Sequence, residues 1–162
     1  MNIATAGSAM TSGDVVSLGA LRRYFAVIIP ANLIWEFAQM PLYTIWNEGS
    51  WGEIAFAAFH CTGGDILIAM SALMLALILS GRGWPYAPEA RKRVAILAVV
   101  FGLGYTIFSE WLNIVIRAAW AYSDLMPVIP VLNAGLSPVL QWIVIPLTGF
   151  WWAARPFQSG GN

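Results

Sequence analysis

The stretch NLIWEFAQMPLYTIW, residues 32–46, is typical of a membrane span except for the glutamate at its centre, Glu36. Apolar residues make up 59% of the 162-residue chain and charged residues 10%, and the mean hydropathy is +0.71. Soluble domains carry about 25% charged residues. The composition therefore predicts an integral membrane protein, in which Glu36 needs a special environment.

Four apolar stretches are long enough to cross a bilayer, because roughly 20 helical residues cover about 30 Å of hydrocarbon. Helices are expected because every backbone amide in lipid must be satisfied within its own segment. The predicted fold is an all-α bundle of four transmembrane helices, and no soluble domain is expected. The predicted spans are residues 24–46, 54–79, 94–120 and 136–154, within a transmembrane domain of residues 21–157 that flexible tails (residues 1–20 and 158–162) flank.

The basic residues are distributed unevenly between the two sides of the predicted bundle. Arg117 lies toward one side, and the other seven basic residues flank the opposite side: Arg22, Arg23, Arg82, Arg91, Lys92, Arg93 and Arg155. By the positive-inside rule both termini are cytoplasmic, and a bacterial inner membrane is the expected location. The zero net charge predicts no binding to nucleic acid, and the single cysteine excludes an internal disulfide.

Polar residues recur at helical spacing in every span, since positions three, four and seven residues apart share one helix face. A carboxylate in the hydrocarbon core of a bilayer costs at least ~2.5 kcal/mol, so it is normally paired, protonated or directed into a wet cavity. We therefore expect a shared polar interior. Its residues are Asn32, Glu36, Gln39 and Tyr43 in the first span, Glu53, His60, Gly64 and Asp65 in the second, Thr106, Ser109, Glu110, Asn113 and Arg117 in the third, and Ser137, Gln141 and Thr148 in the fourth.

Two segments of the chain resemble each other. WEFAQMPLYTIW (residues 35–46) and SEWLNIVIRAAW (residues 109–120) align without a gap, so that Glu36 meets Glu110 and Trp46 meets Trp120. An internal duplication would relate two helical hairpins by a pseudo-twofold axis along the membrane normal. The two glutamates would then face each other at equal depth.

Acid–base chemistry is the reaction type that this set of residues favours. Two carboxyl groups in different environments can divide into proton donor and proton acceptor. The predicted catalytic residues are Glu36 as the acid, Glu110 and Asp65 as its partner or base, and His60 as a proton relay. The predicted ligand-binding residues are Asn32, Trp35, Gln39, Tyr43, Asn113, Arg117, Trp120, Tyr122 and Gln141.

No metal or other cofactor is predicted. Three carboxylates and one imidazole are compatible with a divalent cation, but the chain has no HxxxH or ExxH spacing. Structural alternatives also exist: polar side chains such as Asn32 and Gln39 can act as interhelical hydrogen-bonding groups worth about 0.6 kcal/mol each. Cys61 is expected to be a packing residue, and the Gly63–Gly64 pair is expected to loosen the helix or admit a close neighbour.

Two local motifs resemble those of membrane-embedded isoprenoid cyclases. ANLIWEF (residues 31–37) resembles the Asn-x-x-Trp-Glu element of small polytopic terpene cyclases, and WAYSDLMPVIPVLNAGLSPVLQWIVIP (residues 120–146) is similar in layout to the membrane lycopene cyclases. The resemblance implies protonation of an isoprenoid and implicates Glu36, Trp120 and Tyr122. The chain departs from the lycopene cyclases at Gln141, because residues 139–141 read Val-Leu-Gln where those enzymes carry paired glutamates.

Three hypotheses follow. The first is a polar intramembrane pocket that binds an apolar small molecule, an isoprenoid or another lipid, and acts on it by non-redox cyclase-type or isomerase-type chemistry. The second is a proton- or cation-coupled transporter or channel, which at this size would be a homo-oligomer; the nearly apolar stretches Met70–Leu79 and Val94–Phe101 disfavour its polar path. The third is a non-catalytic assembly factor or accessory subunit.

Overall fold

A computed structural model describes residues 12–80 and 82–155 of the chain. The protein is mainly α-helical, and four of its helices are long and apolar enough to cross a membrane. The five α-helices are α1 (Ser12–Gln39), α2 (Ile45–Glu48), α3 (Trp51–Ser80), α4 (Pro88–Trp111) and α5 (Leu136–Ala153). Within the described residues, the extended segments lie in connections: β1 (Arg82–Pro85) and the antiparallel pair β2 (Val128–Ile129) and β3 (Ala134–Gly135).

The four long helices form a bundle in which each packs against two others. Helix α1 packs against α3 and α5, and α4 packs against the same two, so that α1 and α4 occupy opposite corners. A hydrogen bond of 2.6 Å from Arg23 Nη1 to the Arg155 carbonyl oxygen joins the first part of α1 to the end of α5. We call this the basic end of the bundle, and we call the opposite end, which carries Tyr43 and Tyr122, the far end.

The half of the bundle nearer the basic end is a closely packed apolar core. The rings of Tyr24 and Phe150 lie 4.6 Å apart between their centroids, and Gly102 lets the Trp142 ring approach α4 directly. Residues from all four long helices meet in this core: Ala20, Tyr24, Ile28, Ala69, Leu73, Ala76, Val94, Ala98, Trp142, Ile145, Phe150 and Ala153. It fixes how the helices cross.

The outward faces of the long helices are also apolar. Large side chains such as Ile34, Phe56 and Ile78 are exposed on the surface. Soluble monomers rarely expose apolar surface this extensively, whereas hydrocarbon solvates it well. The exposed faces therefore agree with the membrane location that the composition predicts.

At the far end, α1 and α4 stop before the limits of the predicted spans. Helix α1 ends at Gln39 and continues as a 3₁₀ turn, Met40–Leu42, because Pro41 lacks the amide that an α-helix needs. Helix α4 continues as a π-helical turn, Leu112–Ile116, and Ala118 takes a left-handed backbone conformation with φ of 48°. Trp46 and Trp120, the ends of two predicted spans, therefore lie outside the long helices.

Several expectations need correction. Residues 12–20 of the predicted N-terminal tail belong to α1, while residues 1–11 and the predicted tail 158–162 lie outside the described residues. Glu53 is exposed and caps α3 by accepting a 2.8 Å hydrogen bond from the Ser50 amide. Thr148 is exposed and donates to the carbonyl of Val144 on its own helix. The Gly63–Gly64 pair admits no close neighbour, because a Cβ at either position would meet nothing within 4 Å.

The predicted duplication stays a prediction. An exchange of the two hairpins would swap α1 with α4 and α3 with α5, and the observed packing is unchanged by that exchange. Any bundle of four successive antiparallel helices has this property. The ends of α1 and α4 differ, however, since one forms a 3₁₀ turn and the other a π-helical turn.

Replacing Gly102 by alanine tests the packing of the core. The new Cβ would lie 2.2 Å from Cε3 of Trp142, so we expect the free energy of unfolding to fall by about 1–3 kcal/mol, as is usual for overpacking. Thermal unfolding in detergent, followed by circular dichroism, measures the change. Gly104→Ala is the matched control, because its Cβ would meet nothing within 4 Å; equal destabilisation by both variants would contradict the packing described here.

Candidate functional site

A cavity of about 650 Å³ occupies the half of the bundle beyond the apolar core. Its volume falls within the roughly 300–1,000 Å³ of small-molecule sites. The polar residues of its wall are Glu36, Gln39, Tyr43, His60, Cys61, Asp65, Ser71, Thr106, Ser109, Glu110, Asn113, Arg117, Trp120 and Gln141. All three predicted catalytic carboxyl groups therefore share one cavity.

Two of the carboxyl groups belong to one hydrogen-bonded cluster. Glu36 and Asp65 lie within hydrogen-bonding reach of each other. Gln141, on α5 and only 2% exposed, has its amide nitrogen 3.0 Å from Glu36 Oε1 and 2.9 Å from Asp65 Oδ2. Two carboxylates that contact the same amide nitrogen in an apolar interior would repel each other, so the pair retains at least one proton.

The Gln141 amide is the centre of this cluster. Its nitrogen also lies 2.9 Å from Oδ1 of Asn32, so three acceptors compete for two N–H groups. Glu36 is compensated by a second donor, because Gln39 Nε2 lies 2.7 Å from the same oxygen, Glu36 Oε1. The cluster therefore has enough donors to hold one carboxylate, but not two.

A chain of donors behind the cavity wall positions Gln39. The indole N–H of Trp35 donates to Ser137 Oγ at 3.1 Å, and this hydroxyl donates to Gln39 Oε1 at 2.8 Å. Hydrogen bonds in such a chain polarise one another. The amide that contacts Glu36 is thereby fixed in orientation from the start of α5.

Glu110, the third carboxyl group, has a separate set of donors. The Tyr122 hydroxyl donates to Glu110 Oε2 and accepts a 2.7 Å hydrogen bond from the backbone amide of Gly135. The hydroxyl of Tyr43 also lies near this carboxyl group, whereas the indole N–H of Trp120 is buried on the cavity wall without a hydrogen-bond partner among the described residues. The tyrosine hydroxyls stabilise the carboxylate form of Glu110 relative to a buried carboxyl group that lacks them.

The two tyrosines at the far end remain protonated in their surroundings. Burial raises the pKa of Tyr43 well above its ordinary value, and the neighbouring Glu110 raises it further. Burial also raises the pKa of Tyr122, followed by its hydrogen bond to Glu110. Both phenols therefore stay hydrogen-bond donors at physiological pH.

The loop of residues 117–127, at the far end, is joined to the segment that follows α1. Tyr43 and Tyr122 form an isolated antiparallel bridge, and their rings lie 5.6 Å apart between centroids. The Ser123 hydroxyl donates to the carbonyl of Pro41 at 3.0 Å. These contacts hold Tyr122 over Glu110, although the two residues belong to different elements.

The other predicted site residues divide into two groups. Gln39, Tyr43, Asn113, Arg117, Trp120 and Gln141 line the cavity, together with the predicted relay residue His60. Asn32, Trp35 and Tyr122 do not line it; they lie behind the wall and hold wall residues in place. The His60 ring stacks on Phe56 at 5.6 Å and takes no part in the hydrogen bonds of the carboxyl cluster, so its relay role stays a prediction.

The apolar part of the wall is missing from the sequence prediction. It includes Leu67, Ile68, Ala72, Leu75, Phe101, Tyr105 and Trp142. Apolar side chains look alike in a membrane sequence whether they face lipid, core or cavity. For the members on α3, the signal that points to the wall is their helical spacing from Gly64 and Asp65.

Among residues 12–80 and 82–155, no group of three or more His, Cys, Asp and Glu side chains is arranged to hold a metal ion. Comparison of the chain with protein-family models, curated proteins and solved structures gives no match.

Replacing Gln141 by leucine tests the centre of the carboxyl cluster. The change leaves Glu36, Asp65 and Asn32 without a shared donor, and a buried polar group without a partner costs about 1–3 kcal/mol. We expect the unfolding temperature in detergent to fall markedly. Thr148→Val on the same helix is the control and should change stability by no more than about 0.5 kcal/mol. A Gln141→Leu variant as stable as this control would refute the role of the amide.

Proposed function

We propose that this protein is a membrane-embedded, cofactor-independent enzyme that binds an isoprenoid-like lipid in its cavity and rearranges it by cyclase-type or isomerase-type acid–base chemistry. In the proposed orientation it lies in a bacterial inner membrane with its basic end in the cytoplasm. The observation that carries the proposal is the grouping of Glu36, Asp65 and Glu110 on one cavity, with two different sets of hydrogen-bond donors.

The Glu36–Asp65 pair acts as the proton donor. Both carboxyl groups of the pair are protonated at the start, and the Glu36 proton passes to one carbon of a ligand double bond. The O–H bond breaks and a C–H bond forms, which leaves a carbocation on the neighbouring carbon and a single carboxylate on Glu36, while Asp65 keeps its proton. The amides of Gln39 and Gln141 already lie at hydrogen-bonding distance from Glu36 Oε1. The developing negative charge is thus stabilised without reorganisation, which is the largest single contribution in many enzymes.

Glu110 acts as the base. The carbocation is either attacked by a second double bond of the ligand, which closes a ring, or loses a neighbouring proton directly. Glu110 accepts that final proton, and the product keeps the molecular formula of the substrate. Tyr122 and Gly135 stabilise the carboxylate that must be present before this step.

Aromatic rings on the wall support the cationic intermediate. Phe101, Tyr105, Trp120 and Trp142 all line the cavity, and an aromatic face attracts a cation within about 6 Å of its centroid. The part of the wall on α3 beyond Asp65 includes Leu67, Ile68, Ala72 and Leu75, the aliphatic surface that a hydrocarbon ligand requires.

The packing disfavours the rival transporter hypothesis. A proton- or cation-coupled transporter needs a polar passage through the whole bundle. Between the cavity and the basic end, the interior is filled by apolar side chains such as Ile28, Leu73 and Ile145. A site that is closed on that side suits a ligand that enters and leaves by one route.

Replacing Glu36 by glutamine tests the proposed acid. The purified protein is incubated in D₂O with geranylgeraniol and, in parallel, with apolar lipid extracted from its own membranes. Proton transfer incorporates deuterium into the recovered lipid, which mass spectrometry detects. We expect Glu36→Gln to slow incorporation by about 10²-fold or more, the usual contribution of a general acid.

The control is Glu48→Gln, the same chemical change at an exposed residue of α2. It should leave deuterium incorporation unchanged. Equal rates for Glu36→Gln and the unaltered chain would remove Glu36 from the proposed mechanism.

Filling the cavity provides an independent test of ligand binding. Gly64 lines the cavity, and a Cβ there would meet nothing within 4 Å, so Gly64→Leu places a side chain in the free volume. We expect the variant to retain much less lipid after gentle purification, as measured by extraction and mass spectrometry. Gly63→Leu makes the same change at an exposed neighbour outside the cavity wall; equal loss from both variants would contradict binding in the cavity.

A further inference from the structure

The cavity has an opening between α3 and α4, in addition to the exposed wall residues His60, Arg117 and Ala119 toward the far end. Three residues of its apolar wall are also exposed on the outer surface of the bundle: Leu67 (64% exposed), Leu75 (48%) and Tyr105 (53%). Ser71, between the two leucines, is likewise a wall residue and exposed. A side chain that lines the cavity and is also exposed on the outer surface lies at the rim of an opening.

This opening lies at the level of the hydrocarbon. Helix α3 rises by 1.5 Å per residue, which places Leu67 about 24 Å from Trp51 and about 20 Å from Ser80. It is therefore close to the middle of the helix, and the hydrocarbon core of a bilayer is about 30 Å thick. Lipid chains, and not water or head groups, face the rim at this depth.

The charges near the cavity disfavour an anionic ligand. Within residues 12–80 and 82–155, Arg117 is the one basic side chain toward the far end, where Glu48, Glu53 and Asp124 are all exposed. The interior adds three carboxyl groups to the wall. Even with the Glu36–Asp65 pair protonated, Glu110 and the exposed acids outnumber Arg117, so a phosphate or carboxylate head group would meet more negative than positive charge.

We infer that the cavity loads sideways from the bilayer, through the opening between α3 and α4, and that its ligand is a neutral isoprenoid. The inference takes the class of ligand from the proposed function, and adds the route of entry and the charge of the ligand. The wall near the rim, formed by Leu67, Ile68, Leu75 and Phe101, receives the hydrocarbon chain, and the acids lie beyond it toward the far end.

Cys61 provides a reporter of access. It is the single cysteine of the chain and lines the cavity. In proteoliposomes, labelling by a maleimide on a long alkyl chain is compared with labelling by a sulfonated, membrane-impermeant maleimide. Both reagents need the same thiolate, so the ratio of the two rates reports access and not thiol reactivity.

Entry from the bilayer predicts faster labelling by the alkyl maleimide. The ratio should be about tenfold or more, because a charged group in hydrocarbon costs at least ~2.5 kcal/mol. Labelling by the sulfonated reagent at the same rate or faster would show entry from water and would overturn the inference.

A tryptophan at the rim should obstruct the route. Leu67→Trp enlarges a rim residue, and we expect the alkyl maleimide to label Cys61 severalfold more slowly. Met70→Trp is the matched control, because Met70 is exposed on the same helix at similar depth and does not line the cavity. Equal slowing by both variants would place the route elsewhere. The reagent ratio in the unaltered chain decides the question even if Leu67→Trp fails to fold.

Protection of Cys61 from labelling by an added ligand tests the charge that the cavity accepts. Geranylgeraniol should slow the labelling of Cys61 severalfold, and geranylgeranyl phosphate at the same membrane concentration should protect weakly. Equal or better protection by the phosphate would overturn the choice of a neutral ligand. Labelling needs no proton transfer, so an active Glu36→Gln variant would refute the proposed chemistry while leaving the labelling ratios valid.

Discussion

The structure depends on one constraint: carboxyl groups inside an apolar bundle must be supplied with hydrogen bonds from within the protein. Lipid offers none, and an unpaired charge at this depth is costly. The start of α5 supplies most of what is needed. Gly135 supports Glu110 through Tyr122, Ser137 orients Gln39, and Gln141 contacts the Glu36–Asp65 pair directly. The position of α5 therefore determines the protonation chemistry of residues on the three other long helices.

This constraint divides the bundle into two halves with different packing. Toward the basic end, small residues such as Gly102 and Gly149 let aromatic rings pack directly against the helices, and the interior is filled. Beyond that core, α1 and α4 leave regular α-helical geometry, and a cavity of about 650 Å³ separates the polar side chains. The filled half holds the helices in place, so that the polar half can remain open without loss of the fold.

Helical periodicity accounts for what the sequence predicts well. Asn32, Glu36 and Gln39 fall on one helix face and are all buried, because an unbroken helix carries that spacing directly into space. Helical periodicity fails where the backbone departs from an α-helix. It predicts that two spans continue to Trp46 and Trp120, whereas the α-helices end earlier, at the 3₁₀ turn and the π-helical turn. It also cannot find the apolar wall, since Leu67 at the rim and Leu73 in the core have the same chemistry. Only the packing of α3 against α4 distinguishes them.

The two sets of hydrogen-bond donors give the three acids different capacities to carry a negative charge. The Glu36–Asp65 pair has amide donors sufficient for one negative charge, so in the proposed mechanism it starts with both carboxyl groups protonated, releases one proton and remains stable as a single carboxylate. Glu110 has phenol groups around it and no second carboxyl group in hydrogen-bonding contact, so in the proposed mechanism it is the acid that carries the charge at the start. In the proposed mechanism a proton moves from the pair, through a bound alkene, to Glu110, and the sum of charges on the wall stays constant. In a low-dielectric cavity this balance matters more than the acidity of any one group, because no water is needed to compensate a change in net charge.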